Sequence, residues 1–139
     1  SFMLPVDNTV FNLFSGTELV KDETLDKWHT HNGIDIKAEL GSPVRAVADG
    51  VVSAVKEDPM WGTVVEITHE EDLISRYCGL DEELSVVEGQ AVSIADEIGR
   101  VGDTNLAETA LEPHLHFELF EDGVRVDPLD RMGFYESDD

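Results

Sequence analysis

The stretch His114-Leu115-His116-Phe117-Glu118-Leu119 alternates an imidazole or a carboxylate with a large apolar side chain at every step. A strand sends successive side chains to opposite faces, so His114, His116 and Glu118 share one face while Leu115, Phe117 and Leu119 pack on the other. Neighbours on one face sit about 7 Å apart at Cα. One imidazole can then bind a metal while the other reaches water beside it. Taken alone, the pair reads more readily as two polar residues on a solvent-facing strand.

A second polar pair lies far upstream, in His31-Asn32-Gly33-Ile34-Asp35. A straight strand would hold its ends about 13 Å apart, too far to share an ion whose ligand bonds are near 2 Å. Asn32-Gly33 offers the bend that closes the gap. By itself this segment is also a turn whose Asp caps its own backbone. Two imidazoles, His31 and one of His114 and His116, with the Asp35 carboxylate form a nitrogen and oxygen donor set that suits Zn2+ with a fourth position left for water.

The rest of the chain reads as short strands broken by turns. Residues 42–48 lead through Asp49-Gly50, a hairpin signal, into residues 51–55. The β-branched run 63–68 and the stretch 73–77 flank the acidic turn Glu70-Glu71-Asp72 and are expected to pair. Val86-Val87, Ala91-Val92 and residues 98–101 are short apolar pieces, and Asp122-Gly123 turns the chain back into Val124-Arg125-Val126. Helical periodicity is confined to residues 105–111. Many short strands at close spacing predict an all-β fold, a sandwich or barrel.

At 139 residues and 41% hydrophobic, the chain is sized for a single domain with one core. Its 31 acidic residues against 9 basic ones leave a net charge of −22. That charge repels phosphate backbones and anionic lipid, which excludes nucleic acid as a partner and membrane contact by this domain itself. No run approaches the roughly 18 apolar residues of a membrane span, and residues 2–6 are too short for a signal peptide's hydrophobic core. Cys78 is the only cysteine, so no internal disulfide forms and redox compartment stays undecided. A chain opening on Ser1 is expected to be a fragment or processed form.

These elements together resemble the lysostaphin and LytM family of zinc endopeptidases, which cut peptide bonds in peptidoglycan. The resemblance runs from about residue 28 to 128. It includes His31 and Asp35 as H-x-x-x-D, Gly41-Ser42-Pro43-Val44, Ala48-Asp49-Gly50-Val51-Val52, Gly89-Gln90, residues 113–119 and Val126-Asp127-Pro128. It implies an antiparallel β-sandwich, the barrel-sandwich hybrid of the LytM type, with a groove over one sheet. The core is expected over 28–128, with an N-terminal extension 1–27 and an acidic tail 129–139. The implied zinc ligands are His31, Asp35 and His116, with His114 as the catalytic residue beside the metal's water and Glu118 or a backbone carbonyl fixing a ligand tautomer.

The family carries a further catalytic histidine in a Y-x-H-L segment, where this chain has Tyr77-Cys78-Gly79-Leu80. Gly79 stands in for that imidazole, whose positioned acid-base or electrostatic help contributes about 10² to 10⁴-fold. His29 and His69 are the substitutes the sequence offers, and Cys78 is expected to be a small core residue facing away from Gly79's side. The loop 103–112, longer and richer in Ala and Glu than the family's, is expected to shape a docking edge or cover part of the groove.

A narrower resemblance, carried by residues 56–67 and 73–77, is to the stage II sporulation protein Q branch. It implies an extracytoplasmic place, in the cell envelope or the forespore intermembrane space, with tethering by an N-terminal membrane segment. It also implies docking with the ectodomain of a stage III sporulation protein AH-like partner, for which residues 124–126 or 73–77 offer a sheet edge. The expected function is a zinc-binding, catalytically weakened domain acting as an interaction module in a cell-envelope or sporulation complex. The alternative is an active endopeptidase on peptidoglycan peptides, with His114 as proton acceptor. A biotinyl- or lipoyl-type carrier is set aside, because the chain has no lysine turn of that kind.

Overall fold

The computed structural model describes residues 2–7, 10–15, 19–22, 27–106, 108 and 112–134, with backbone alone for 19–22 and 27–30. Twelve strands and one short helix are assigned among them: β1 (Val10–Asn12), β2 (Leu19–Asp22), β3 (Lys27–Thr30), β4 (Ile34–Lys37), β5 (Pro43–Arg45), β6 (Gly50–Asp58), β7 (Gly62–Thr68), β8 (Leu73–Leu80), β9 (Ala91–Val92), β10 (Glu97–Arg100), β11 (His114–Glu121), β12 (Val124–Val126) and α1 (Pro128–Met132). The large sheet runs β1-β4-β11-β8-β7-β6-β9, with β12 also on β11. β10 pairs with β5 and β2 with β3 in two small ribbons, and every strand pairing is antiparallel.

The core lies between the large sheet and the β5–β10 ribbon. Ile34, Ile36, Val65, Ile67, Tyr77, Leu115, Phe117 and Leu119 come from the sheet and meet Val44, Ala46, Ile98 and Val101 from the other layer. This is the antiparallel sandwich expected. β11 supplies the core with Leu115, Phe117 and Leu119, all fully buried. Its even face is no solvent face: His116 and Glu118 are 1% exposed, so that face has to be built around its polar groups.

Three chain reversals are expected from turn residues, and two of them form. β12 pairs back on β11 through Asp122-Gly123. β7 and β8 pair from Val65↔Tyr77 to Thr68↔Ile74. The acidic turn between them holds Glu71 and Asp72 at φ 62° and 58°. Asp49-Gly50 makes no hairpin: β5 pairs with β10, and Gly50 is already in β6, opposite Val92. Neither residue takes the positive φ that a two-residue hairpin turn of this type demands. Instead the Asp49 carboxylate accepts the Ile94 N–H and its carbonyl accepts from His69, while a Cβ on Gly50 would lie 2.5 Å from the Thr68 carbonyl oxygen.

Of the two sheet edges considered for a partner, residues 73–77 are ruled out. They lie in β8, hydrogen-bonded on both sides by β7 and β11, so no ladder group is left to offer. β12 pairs with β11 alone. Of the expected helical turn at 105–111, Asn105 and Leu106 have no helical structure and Glu108 sits in a turn; residues 107 and 109–111 lie outside the described residues. Val86 and Val87 are not in a strand.

Both stretches placed outside the core take part in it. Val6, Leu129 and Met132 belong to the apolar cluster, Arg45 N–H bonds to the Pro5 carbonyl and β1 extends the sheet beside β4. α1 starts with the Asp127 side chain capping Leu129 N–H and ends at Gly133, φ 83°.

Gly33 sets how closely the His31–Asp35 segment can lie on β11. A Cβ there would strike the Phe117 carbonyl oxygen and come within 2.9 Å of Glu118 Cγ. Gly33→Ala is expected to cost about 1–3 kcal/mol by overpacking at a backbone contact, read as a lower midpoint in urea denaturation. A midpoint equal to wild type would show that the bend needs no glycine.

Candidate metal centre

Three elements deliver the polar cluster. β11 carries His114 and His116, β4 carries Asp35 in register opposite His116, and the bend before β4 returns His31 to the same place. His31 Nε2 comes within 3.2 Å of Asp35 Oδ2, and His116 Nδ1 within 2.8 Å of Asp35 Oδ1. All of these side chains are buried. The three residues read as zinc ligands thus share one small volume, with His114 Nε2 3.6 Å from Asp35 Oδ1.

A fourth ligand-type residue is present that the sequence reading missed. Glu108 reaches in from the loop before β11, its Oε2 3.2 Å from His31 Nε2 and its Oε1 3.2 Å from His116 Nδ1 and 3.0 Å from His114 Nε2. One donor atom each from His31, Asp35, Glu108 and His116 fall within 4.8 Å of one another. The loop's unusual length and acidity were the only sequence sign, and neither distinguishes Glu108 from its acidic neighbour Glu112, whose side chain is solvent-exposed.

The outer nitrogens of the imidazoles all face acceptors. His31 Nδ1 donates to the Leu13 carbonyl at 3.0 Å, His114 Nδ1 to the Glu112 carbonyl at 2.7 Å and His116 Nε2 to Glu118 Oε2 at 3.0 Å. A neutral imidazole has one N–H. Once it is spent outward, His31 Nε2, His114 Nε2 and His116 Nδ1 point lone pairs at carboxylate oxygens. Acceptors facing acceptors inside a protein require either extra protons or a cation.

A divalent cation answers that requirement with the donors already in place. With bonds of about 2.0–2.1 Å, a tetrahedral site has donor–donor edges of roughly 3.3 Å; the nearest imidazole–carboxylate contacts, made through different oxygens of Asp35 and Glu108, run from 2.8 to 3.2 Å, and one donor atom from each of the four residues lies within 4.8 Å of the others. Two carboxylates and one divalent ion also leave no net charge in this buried place. The outer contacts belong to the same design. Asn12 Nδ2 on β1 donates to Asp35 Oδ2 at 2.9 Å, and Arg76 Nη1 donates to Glu118 Oε1 at 3.1 Å. The Trp61 ring stacks on His116 at 4.1 Å and 19°.

Two histidines had been considered for the place of the missing imidazole. His69 is elsewhere, bonded to the Asp49 carbonyl at 2.7 Å and the Ser75 hydroxyl at 2.7 Å, in a buried network that continues to Tyr77. Burial holds its pKa below the ordinary histidine value, and it serves the strand end, not the cluster. The side chain of His29 lies outside the described residues.

Gly79 has φ 78° and interrupts the β7–β8 register as a bulge. That bulge corrects the reading of Cys78: it is fully buried, but it sits in register opposite His116 and so on the same side of the sheet. Strand alternation was applied across a residue that breaks it. Burial pushes the thiol up to about 12, so Cys78 stays a thiol at neutral pH.

In the absence of metal, protons have to fill the cluster. Burial works against His31 ionising, yet Asp35 and Glu108 outweigh it and raise its pKa to about 10; His114 and His116 are raised for the same reason. Glu108 and Glu118 are lowered, burial opposing and the imidazoles prevailing. Raised histidines contribute stability that is complete below their unfolded value of 6.5 and is lost as pH climbs toward 10. Lowered carboxylates contribute above 4.5 and lose it on acidification. The chelated protein is therefore expected to melt highest between pH 4.5 and 6.5 and to lose stability toward pH 10, while zinc displaces the protons and removes the alkaline loss. Melting temperature against pH, with and without chelator, checks this; superimposable alkaline limbs would contradict it.

The sequence model of Peptidase family M23 matches residues 29–128. Peptidoglycan DD-endopeptidase ShyA of Vibrio cholerae serotype O1 is 38% identical over 102 residues, 73% of this chain and 22% of ShyA. Stage II sporulation protein Q of Bacillus subtilis strain 168 is 34% identical over 133 residues, 89% of this chain and 46% of its own length. The chain thus spans less than half of either relative. Among solved structures, a chain of the crystal structure of the SpoIIIAH and SpoIIQ complex aligns at TM-score 0.81 and 31% identity, over 95% of this chain and all of that one. Fold, cluster and sequence agree, and the chain belongs to Peptidase family M23.

Proposed function

We propose that this chain is a zinc-binding M23 domain that has given up efficient hydrolysis and works as an interaction module in an extracytoplasmic complex of the cell envelope or of sporulation. The observation that carries the reading is Gly79. At the position of the family's third catalytic histidine there is no side chain, and the space a Cβ would take lies 2.8 Å from Asn105 Cβ. No described imidazole replaces it. His31, Asp35 and His116 would hold the metal, and His114 would hold or pass a proton at Nε2.

Zinc in such a site supplies Lewis acidity toward a peptide carbonyl and acidifies water. Without a second polar group across from His114, the chain lacks the positioned partner that would hold charge in the transition state. Similarity to SpoIIQ, which was solved in complex with SpoIIIAH, supports a stage III sporulation protein AH-like ectodomain as partner. The net charge of −22 favours a basic face on that partner. The second reading, an endopeptidase acting on peptidoglycan peptides, draws on the identity to ShyA and on the retained His114.

Purified chain is expected to carry one equivalent of zinc by elemental analysis and, on peptidoglycan, to release no more amino termini than His114→Ala does. Release well above that control would overturn the non-hydrolytic reading and favour the endopeptidase.

A further inference from the structure

We propose that Glu108 is the fourth protein ligand of the metal, and that residues 103–106 form a latch that places it there, closing the coordination position an M23 peptidase keeps for water and substrate. This rests on the metal site proposed above and says what became of its open side.

The loop is fastened at three successive residues. The Thr104 hydroxyl donates to the Leu80 carbonyl at 2.8 Å and accepts the Thr63 N–H at 3.1 Å. Leu106 N–H reaches the Met60 carbonyl at 2.7 Å. Between them Asn105 presses on Gly79, and Asn105 Oδ1 accepts the Glu108 N–H at 3.2 Å. Asn105 Nδ2 lies 3.5 Å from Glu108 Oε1, so one side chain orients both the backbone and the carboxylate of the ligand residue.

Two glycines make room for this path. A side chain on Gly62 would collide with Thr104, and one on Gly79 would collide with Asn105. Both glycines have positive φ, 77° and 78°. The missing imidazole and the inserted carboxylate are therefore one exchange: the space cleared at position 79 is the space through which Asn105 delivers Glu108. A site of two imidazoles and two carboxylates with no exchangeable position is the closed arrangement of a structural zinc. In such a site the metal ties β4, β11 and the loop together.

The test uses cobalt as a spectroscopic substitute for zinc in the whole chain, titrated with azide as a small anionic ligand. The visible spectrum of wild type is expected to stay unchanged, and that of Glu108→Ala to shift as azide enters the vacated position. In competition with a chromophoric chelator, Glu108→Ala and Glu108→Gln are expected to bind zinc on the order of 100-fold more weakly and Asn105→Ala roughly tenfold more weakly, with the exposed Glu82→Gln unchanged. Asn105→Ala keeps every ligand side chain and so serves if Glu108→Ala does not fold.

A wild-type cobalt spectrum that responds to azide as the Glu108 variant's does, or zinc affinities indistinguishable among these proteins, would overturn Glu108's role and leave the three-ligand site standing. A chain that takes up neither metal would overturn both.

Discussion

Five buried side chains with a shortage of positive charge organise this domain. His31, His114 and His116 have given their outer N–H groups to carbonyls and to Glu118, which turns their remaining nitrogens toward Asp35 and Glu108. Such an arrangement is repulsive until a cation, whether protons or a metal ion, occupies its centre. Local features of the sheet serve it. Gly33 lets the His31 segment lie flush on β11, and β1 brings Asn12 and Leu13 to the back of two ligands. Burial opposes ionisation of Glu118, but its bond to His116 prevails, with Arg125 and Arg76 adding to it.

Under the proposed function, the same centre would turn a hydrolase scaffold into a rigid module. An M23 peptidase needs an open coordination position and a polar group across from it. Here Gly79 carries no side chain, and the segment anchored by Thr104, Asn105 and Leu106 packs against it. A metal held on four sides by protein, as proposed for this site, would cross-link residues 31–35, 108 and 114–116, and its binding energy would become folding energy.

The alternation of residues 114–119 carried the fold, since both the buried core face and the polar face follow from strand period alone. The bend at 31–35 could be read because a shared ion is impossible without it. What lay beyond reach depended on contacts between segments far apart in sequence. Asp49-Gly50 has the composition of a hairpin turn, but its hydrogen bonds go to Ile94 and His69, which no local pattern encodes. Glu108 was hidden among the acids of its loop, because only the slots at Gly62 and Gly79 single it out. Cys78 was turned to the wrong face by treating Gly79 as an ordinary strand residue when it is a bulge.

The most direct test is an anomalous difference map, measured at the zinc edge, from crystals of the zinc-loaded chain. The expected result is one peak about 2.0–2.2 Å from His31 Nε2, His116 Nδ1 and one oxygen each of Asp35 and Glu108. Crystals soaked in zinc that show these five side chains in contact and no ion among them would contradict the account.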